Sequence, residues 1–199
     1  MKIHLLRHGQ TMANITYTYA GITDSPLSEA GIELLKKQRE KGGYPDISQL
    51  DVYTSGLTRT EQTLELLFGQ IPHTKDLDFM EMNFGIFEGK TYNEIKDTEA
   101  YQAWVTGDHM TQRCPGGENG NEMLERILCG IKRITDKGRD ALIVTHGGVI
   151  TLLFNHYFPG TTLTWYEIQP ANGEGYTFEF EGETAVCYTR IPFAASDQE

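Results

Sequence analysis

The stretch Lys2-Ile3-His4-Leu5-Leu6-Arg7-His8-Gly9 sets the architecture of this chain. Ile3 to Leu6 is an apolar run with the length of a short buried strand, and it stops at Arg7, where a polar segment begins. An imidazole beside a guanidinium and a glycine, at the exit of a buried strand, suits a nucleophile that takes up a phosphoryl group. A lone histidine is more often a satisfied structural residue, so His8 needs partners from elsewhere in the sequence.

Working outward, residues 9–25 read as a polar loop with a helical turn near 11–14. Pro26 and Ser28 open a helix to about Lys41, with Ala30, Leu34 and Leu35 on its apolar side, a basic last turn that suits the helix dipole, and Gly42-Gly43 as its stop. Residues 51–54 form a short strand, Ser55-Gly56 a turn, and 57–68 a helix whose Leu57, Leu64, Leu67 and Phe68 share a face. A long irregular stretch follows over 81–120, with Tyr92, Tyr101 and Trp104 spaced like a short helix. We expect one domain over 1–199 in which residues 82–120 form a small lid or substrate lobe. Met123, Leu124, Ile127, Leu128, Ile131 and Ile134 mark an amphipathic helix over 121–136. A continuous apolar strand over 141–145 leads through His146-Gly147-Gly148 into an apolar helix to about Phe158. Residues 174–180 and 184–188, around Glu181-Gly182-Glu183, read as a terminal hairpin. The order predicts a three-layer α/β/α sandwich with a mostly parallel central sheet and a terminal antiparallel hairpin.

Composition narrows the partners. The 199 residues carry 28 Asp plus Glu against 17 Lys plus Arg, a formal net charge of -11, and no basic run offsets it. Such a chain repels nucleic acid and anionic membrane at long range, so an anionic small molecule would need a local positive pocket. No apolar run reaches the length of a membrane span, and Met1 leads almost directly into a strand without a secretory signal, which makes the cytoplasm the expected compartment. Cys114, Cys129 and Cys187 are odd in number and widely spaced, so neither a disulfide frame nor a zinc site is expected.

In a mostly parallel sheet, ligands sit beyond the carboxyl ends of the strands. Arg7-His8, the segment from Ser55 to Arg59, and His146-Gly147-Gly148 all meet that condition. Arg59 and Thr63 share a helix face, and a cation in the first helical turn opposes the dipole, a position better suited to binding an anion than to stabilising the helix. The glycines after His146 offer free backbone N–H groups and close approach at a helix start.

Six blocks, LLRHGQTMAN (5–14), YAGITDSPLSEAG (19–31), YTSGLTRTEQT (53–63), EMNFGIFEG (81–89), PGGE (115–118) and VTHGGV (144–149), together cover nearly the whole chain in order. In these the sequence resembles the histidine phosphatase superfamily, the phosphoglycerate mutase-like enzymes, and within it the phosphatase branch. The resemblance implies a phosphoglycerate mutase-like fold. It makes His8 the phosphorylated nucleophile, sets Arg7, Arg59 and His146 around the phosphoryl group, and makes Glu81 the proton donor. It further implies Gly9, Gln10, Thr11, Asn14, Ala20, Gly21 and Gly147 as phosphate- or substrate-binding positions.

That set is chemically coherent. A neutral imidazole, with an ordinary pKa of about 6.5, can attack phosphorus in line, and flanking arginines favour its neutral form. Positioning and positive electrostatics carry most of a phosphoryl transfer. Two arginines and a histidine would then replace the metal ions of other phosphatases, so no metal and no cofactor are expected. Glu81 must protonate the leaving alkoxide and then take a proton from water, which leans the activity toward mildly acidic pH.

The expected reaction is metal-independent hydrolysis of a small phosphorylated metabolite, with sugar phosphates, fructose bisphosphates and α-ribazole phosphate among the substrates the resemblance suggests. Two alternatives are a mutase-type phosphoryl transferase and a catalytically silent phosphate-binding module. Against the mutase, Trp104-Val105-Thr106 stands where mutases of the family carry Trp-Arg-Arg, and the chain is shorter than typical mutases; Gln10, where the family often carries Glu, is a mild variant. Against the silent module, His8, Arg7, Arg59, Glu81 and His146 are all present. Lys90 and Arg113 are candidate substrate contacts or exposed charges, and Tyr92 and Trp104 candidate pocket or lobe-core residues. Gly85 to Thr91 approaches a nucleotide-binding P-loop but has three residues between its glycines instead of four, and a glutamate inside it. His4 and His8, four apart with no nearby carboxylate, make a poor metal site.

Overall fold

A computed structural model describes residues 1–192. The chain runs β1 (Lys2–Arg7), α1 (Met12–Ile15), α2 (Glu29–Lys41), β2 (Asp51–Thr54), α3 (Thr58–Phe68), β3 (Thr74–Lys75), α4 (Tyr92–Ile95), α5 (Glu99–Val105), α6 (Gly120–Thr135), β4 (Ala141–Thr145), α7 (Gly147–Tyr157), α8 (Trp165–Ile168), β5 (Gly175–Glu181) and β6 (Thr184–Ile191). One six-stranded sheet has the order β3-β2-β4-β1-β5-β6. The first four are parallel neighbours, and β5 and β6 close the other edge antiparallel.

The alternation of side chains along a strand splits the interior into two cores. Ile3 and Leu5 of β1, with Ala141 and Ile143 of β4, pack with Met123, Ile127, Ile131 and Ile134 of α6 and the apolar side of α7. Leu6, Leu142 and Val144 point the other way, against Leu35 of α2 and Leu64 and Leu67 of α3. Each such buried aliphatic side chain contributes about 1.5–3 kcal/mol relative to exposure. The result is the expected α/β/α sandwich.

Several expectations are corrected at the level of elements. Ala30 and Leu34 are exposed on α2, whose buried positions are Gly31 and Leu35. A two-residue parallel edge strand, β3, pairs with β2 where none was expected, because the run 74–75 is too short to show a period. The hairpin strand β6 continues to Ile191. The 81–120 stretch holds two short helices instead of one. There Phe87, Ile95, Tyr101, Trp104 and Cys114 form a separate apolar cluster, while Tyr92 is exposed. Cys129 and Cys187 are exposed and free. No helix among the described residues is long and apolar enough to cross a membrane.

Candidate active site

Sheet register brings the site together. Arg7 pairs with Thr145 and Thr54 with Val144, so the residues that follow, His8, His146 and Ser55, leave the sheet side by side. The His8 amide donates to the Thr145 carbonyl at 2.9 Å, and the two imidazoles meet edge to face with centroids 5.1 Å apart. His8 is 5% exposed and His146 0%.

His8 Nδ1 lies 2.7 Å from the carbonyl oxygen of Gly9. A carbonyl only accepts, so Nδ1 holds the ring proton and the lone pair sits on Nε2. Burial, then the positive charges of Arg59 and Arg7, push the His8 pKa well below its ordinary 6.5, outweighing the Gly9 bond, which pulls it up. His8 is therefore neutral, with Nε2 free to act as a base or nucleophile. His146 has the opposite tautomer. Its Nδ1 accepts from Arg59 Nε at 3.3 Å and its Nε2–H donates to Ser55 Oγ at 2.8 Å. Burial first, then Arg59, holds its pKa well below 6.5 too. His146 is thus a neutral, oriented dipole, and the cationic charge comes from the arginines.

Arg59, 1% exposed, is fixed by backbone oxygens. Nη1 donates to the Thr23 carbonyl at 2.9 Å and Nη2 to the carbonyls of Gly21 (2.6 Å) and Ala20 (3.3 Å). Asp24, next in the same loop, accepts from the Thr58 amide and hydroxyl at 2.8 and 2.7 Å, placing a carboxylate at the α3 N-terminus where the dipole favours one. The loop amides are gathered by Glu88, which accepts N–H bonds from Gly21, Ile22, Thr23 and Phe84 at 3.0–3.2 Å. A Cβ at Gly21 would stand 1.6 Å from the Met82 carbonyl oxygen, so only glycine lets this loop reach the lobe. Arg7 donates from Nη1 to the Pro170 carbonyl at 2.7 Å, while its Nε is buried without a hydrogen-bond partner.

Glu81 faces the same point from the other side. Its Oε2 accepts from the Gly148 amide and its Oε1 from its neighbour Met82, both at 3.0 Å. The backbone around it is clamped by Arg126, which donates to the carbonyls of Asp78, Met80 and Glu81 and pairs through two nitrogens with Glu118. The Glu118 carboxylate also accepts from the Asn83 amide at 2.9 Å.

The remaining expected positions divide into two groups. Asn14 Oδ1 accepts from the Thr11 amide at 3.0 Å and from Asn172 Nδ2 at 3.5 Å, which turns its own amide nitrogen away from those partners. Asn172 Nδ2 also donates to the His8 carbonyl at 3.0 Å, so Asn14 joins the site through Asn172. Gly147 begins α7 beside Arg7. Others are given structural partners. The Thr11 hydroxyl caps α1, the Gln10 carbonyl accepts from Ser28, the Gly9 amide donates to Thr63 Oγ1, and Ala20 and Gly21 present carbonyls to Arg59. Arg113, exposed, bonds the Gly117 carbonyl and pairs with Glu122, and Trp104 belongs to the lobe core. Sequence reasoning placed the segment from Ser55 to Arg59 at the strand ends but gave Ser55 no role, and it missed Glu88, Glu118, Arg126 and Asn172 as parts of the site. Glu88 and Glu118 stand inside the motifs at 81–89 and 115–118, which is the available signal; Arg126 and Asn172 act through distances no local pattern encodes.

A pocket of about 510 Å³, lined by Ile22, Thr23, Asn83, Ile86 and Glu88 among others, opens beside the Arg59 loop and begins two residues from Glu81. The α/β sheet thus delivers two buried histidines and two arginines to neighbouring strand ends, where sheets of this class hold their ligands. The chain belongs to the histidine phosphatase superfamily, branch 1, whose family model matches residues 3–190. It is 30% identical over 166 residues to phosphoglycerate mutase-like protein 4 of Arabidopsis thaliana, covering 79% of this chain and 71% of that one. It is 31% identical over 159 residues to the adenosylcobalamin/alpha-ribazole phosphatase of Escherichia coli, 77% of each chain. Among solved structures, Bacillus stearothermophilus YhfR superposes with a TM-score of 0.80 at 27% identity over 99% of each chain.

Proposed function

We propose that this protein hydrolyses small-molecule phosphate monoesters, without a metal, through a phosphohistidine on His8. The observation that carries the reading is the His8 tautomer: Nδ1–H is tied to the Gly9 carbonyl, which leaves the Nε2 lone pair on a ring held neutral by burial and two arginines. In the first step His8 Nε2 attacks phosphorus and the ester P–O bond breaks, while the Glu81 carboxyl gives its proton to the departing alkoxide. In the second, Glu81 as carboxylate takes a proton from water, the water oxygen attacks phosphorus, the P–N bond breaks and inorganic phosphate leaves. Arg7 and Arg59 balance the charge on the equatorial oxygens; a pair of unit charges about 4 Å apart is worth roughly 4 kcal/mol at an effective dielectric of about 20.

The leaving alcohol faces the pocket beside Thr23 and Asn83. Val105 and Thr106, uncharged and exposed, offer no grip for a second anionic group, which favours hydrolysis over mutase transfer, and similarity to an enzyme named as a phosphatase of alpha-ribazole supports a phosphatase reading. The test is phosphate release across a panel of phosphorylated metabolites, with acid-labile ³²P labelling of the protein. The wild type should turn over and label, and His8→Ala should do neither. Undiminished turnover in His8→Ala would overturn the mechanism.

A further inference from the structure

Gln169 is a polar side chain against Gly147 and Arg7 that the reaction above does not use. It caps the C-terminus of α8, directly before Pro170, whose carbonyl holds Arg7 Nη1. A Cβ built on Gly147 would fall 2.4 Å from Gln169 Nε2 and 3.2 Å from Arg7 Nε. The amide and the guanidinium therefore both lie against the first residue of α7, and the bare Cα of Gly147 is what admits them. Both nitrogens are N–H donors, so neither satisfies the other. Arg7 Nε is buried and unpartnered, and the N-cap of α7, His146, makes no side-chain capping bond. Donors from β1 and from the residue after α8 thus meet at the start of α7, where the Gly148 amide is taken by Glu81 while Arg7 Nε has no acceptor among the described residues.

We propose that Gln169 is a further contact for the phosphoryl group, donating from Nε2 to a non-bridging oxygen that Arg7 Nε also holds. The anion follows from the donor set; that it belongs to a substrate ester rests on the phosphatase reading. A neutral amide beside the guanidinium adds a directed bond to the arginine's charge without adding charge of its own.

Competitive inhibition of ester turnover by inorganic phosphate and orthovanadate, with direct calorimetric binding of inorganic phosphate, tests this in Gln169→Ala and Gln169→Glu. Loss of one hydrogen bond to a charged group should weaken phosphate about 10-fold in Gln169→Ala. The carboxylate in Gln169→Glu should repel the anion and weaken it about 100-fold, at an unchanged melting temperature. Wild-type affinity in Gln169→Ala overturns the proposal. So does wild-type affinity in Gln169→Glu, the result expected if the side chain merely accepted from Arg7 through its oxygen. Gly147→Ala places a methyl where the amide sits, so it and Gln169→Ala should not add in the double variant; full additivity overturns the shared position. Gln169-dependent phosphate binding without turnover of any ester would sink the phosphatase reading and leave the contact standing. Normal turnover with Gln169→Ala unchanged would do the reverse.

Discussion

At the scale of single residues, the two site histidines are told apart by what each ring nitrogen touches. His8 keeps its proton on the Gly9 side and His146 on the Ser55 side, and only the first leaves a lone pair uncommitted. Glu81 is held by two backbone amides, which fix its position while leaving a carboxyl oxygen close to the site. Glu81→Gln removes the proton and keeps only one of the two amide bonds, since its NH2 cannot accept, so kcat on alkyl phosphates should fall by roughly 10²–10⁴. With KM changed less than about threefold, and with aryl phosphates, whose leaving groups need no proton, the loss should be much smaller. Equal losses on both substrate types would mean Glu81 is not the acid. None of this was legible from the stretch at residues 7–9 alone. Tautomers are set by contacts to Gly9, Ser55 and Arg59, and the last two come from the strand and helix that follow some 45 to 50 positions later in the chain.

At the scale of elements, the site depends on loops tied down by carboxylates that bond backbone amides and Arg126. Glu88 gathers the 21–23 amides, and Glu118 with Arg126 fastens the segment carrying Glu81. The Arg126–Glu118 pair is 22% and 16% exposed, screened less than a surface pair but not fully desolvated. Truncating Arg126 to methionine should lower unfolding free energy by about 2 kcal/mol, since it strands Glu118 and three carbonyls. It should also cut kcat more than phosphate affinity, because Glu81 is displaced while Arg7 and Arg59 are not. Urea unfolding and steady-state kinetics on the same variant check both; an unperturbed kcat would separate this clamp from Glu81. Strand and helix positions were readable from apolar periodicity. The arrangement inside 82–120 was not, because its short helices and turns are held by tertiary bonds and by the aromatic cluster of Phe87, Tyr101 and Trp104 instead of by local period.

At the scale of the whole molecule, three buried histidines tie stability to pH. His4, buried against Thr177, is pushed down to about 4 by burial, and His8 and His146 are held well below 6.5. The unfolded chain binds protons at these rings near pH 6.5 while the folded chain does not, so stability is full above that pH and falls on acidification. For His4 alone the loss between about pH 6.5 and 4 is about 3 kcal/mol. Melting temperature should drop steadily from pH 7.5 to 5, and His4→Gln should flatten part of that slope; a profile with no slope would contradict the burial of all three rings. On the proposed mechanism, activity still favours mildly acidic conditions, because His8, held well below 6.5, stays neutral there. The layered fold was legible in the order of apolar strands and amphipathic helices, and the site in the three strand ends. The pairing of Arg7 with Thr145 carries one more consequence. The distance between His8 and His146 is set by the register of two adjacent strands, not by the 137 residues that separate them in sequence. Exchanging the exposed turns of residues 82–120 while keeping Glu88 and Glu118, which fasten the Arg59 loop and the Glu81 segment, would therefore leave the two imidazoles facing each other and, on the proposed reaction, change only what the leaving group meets.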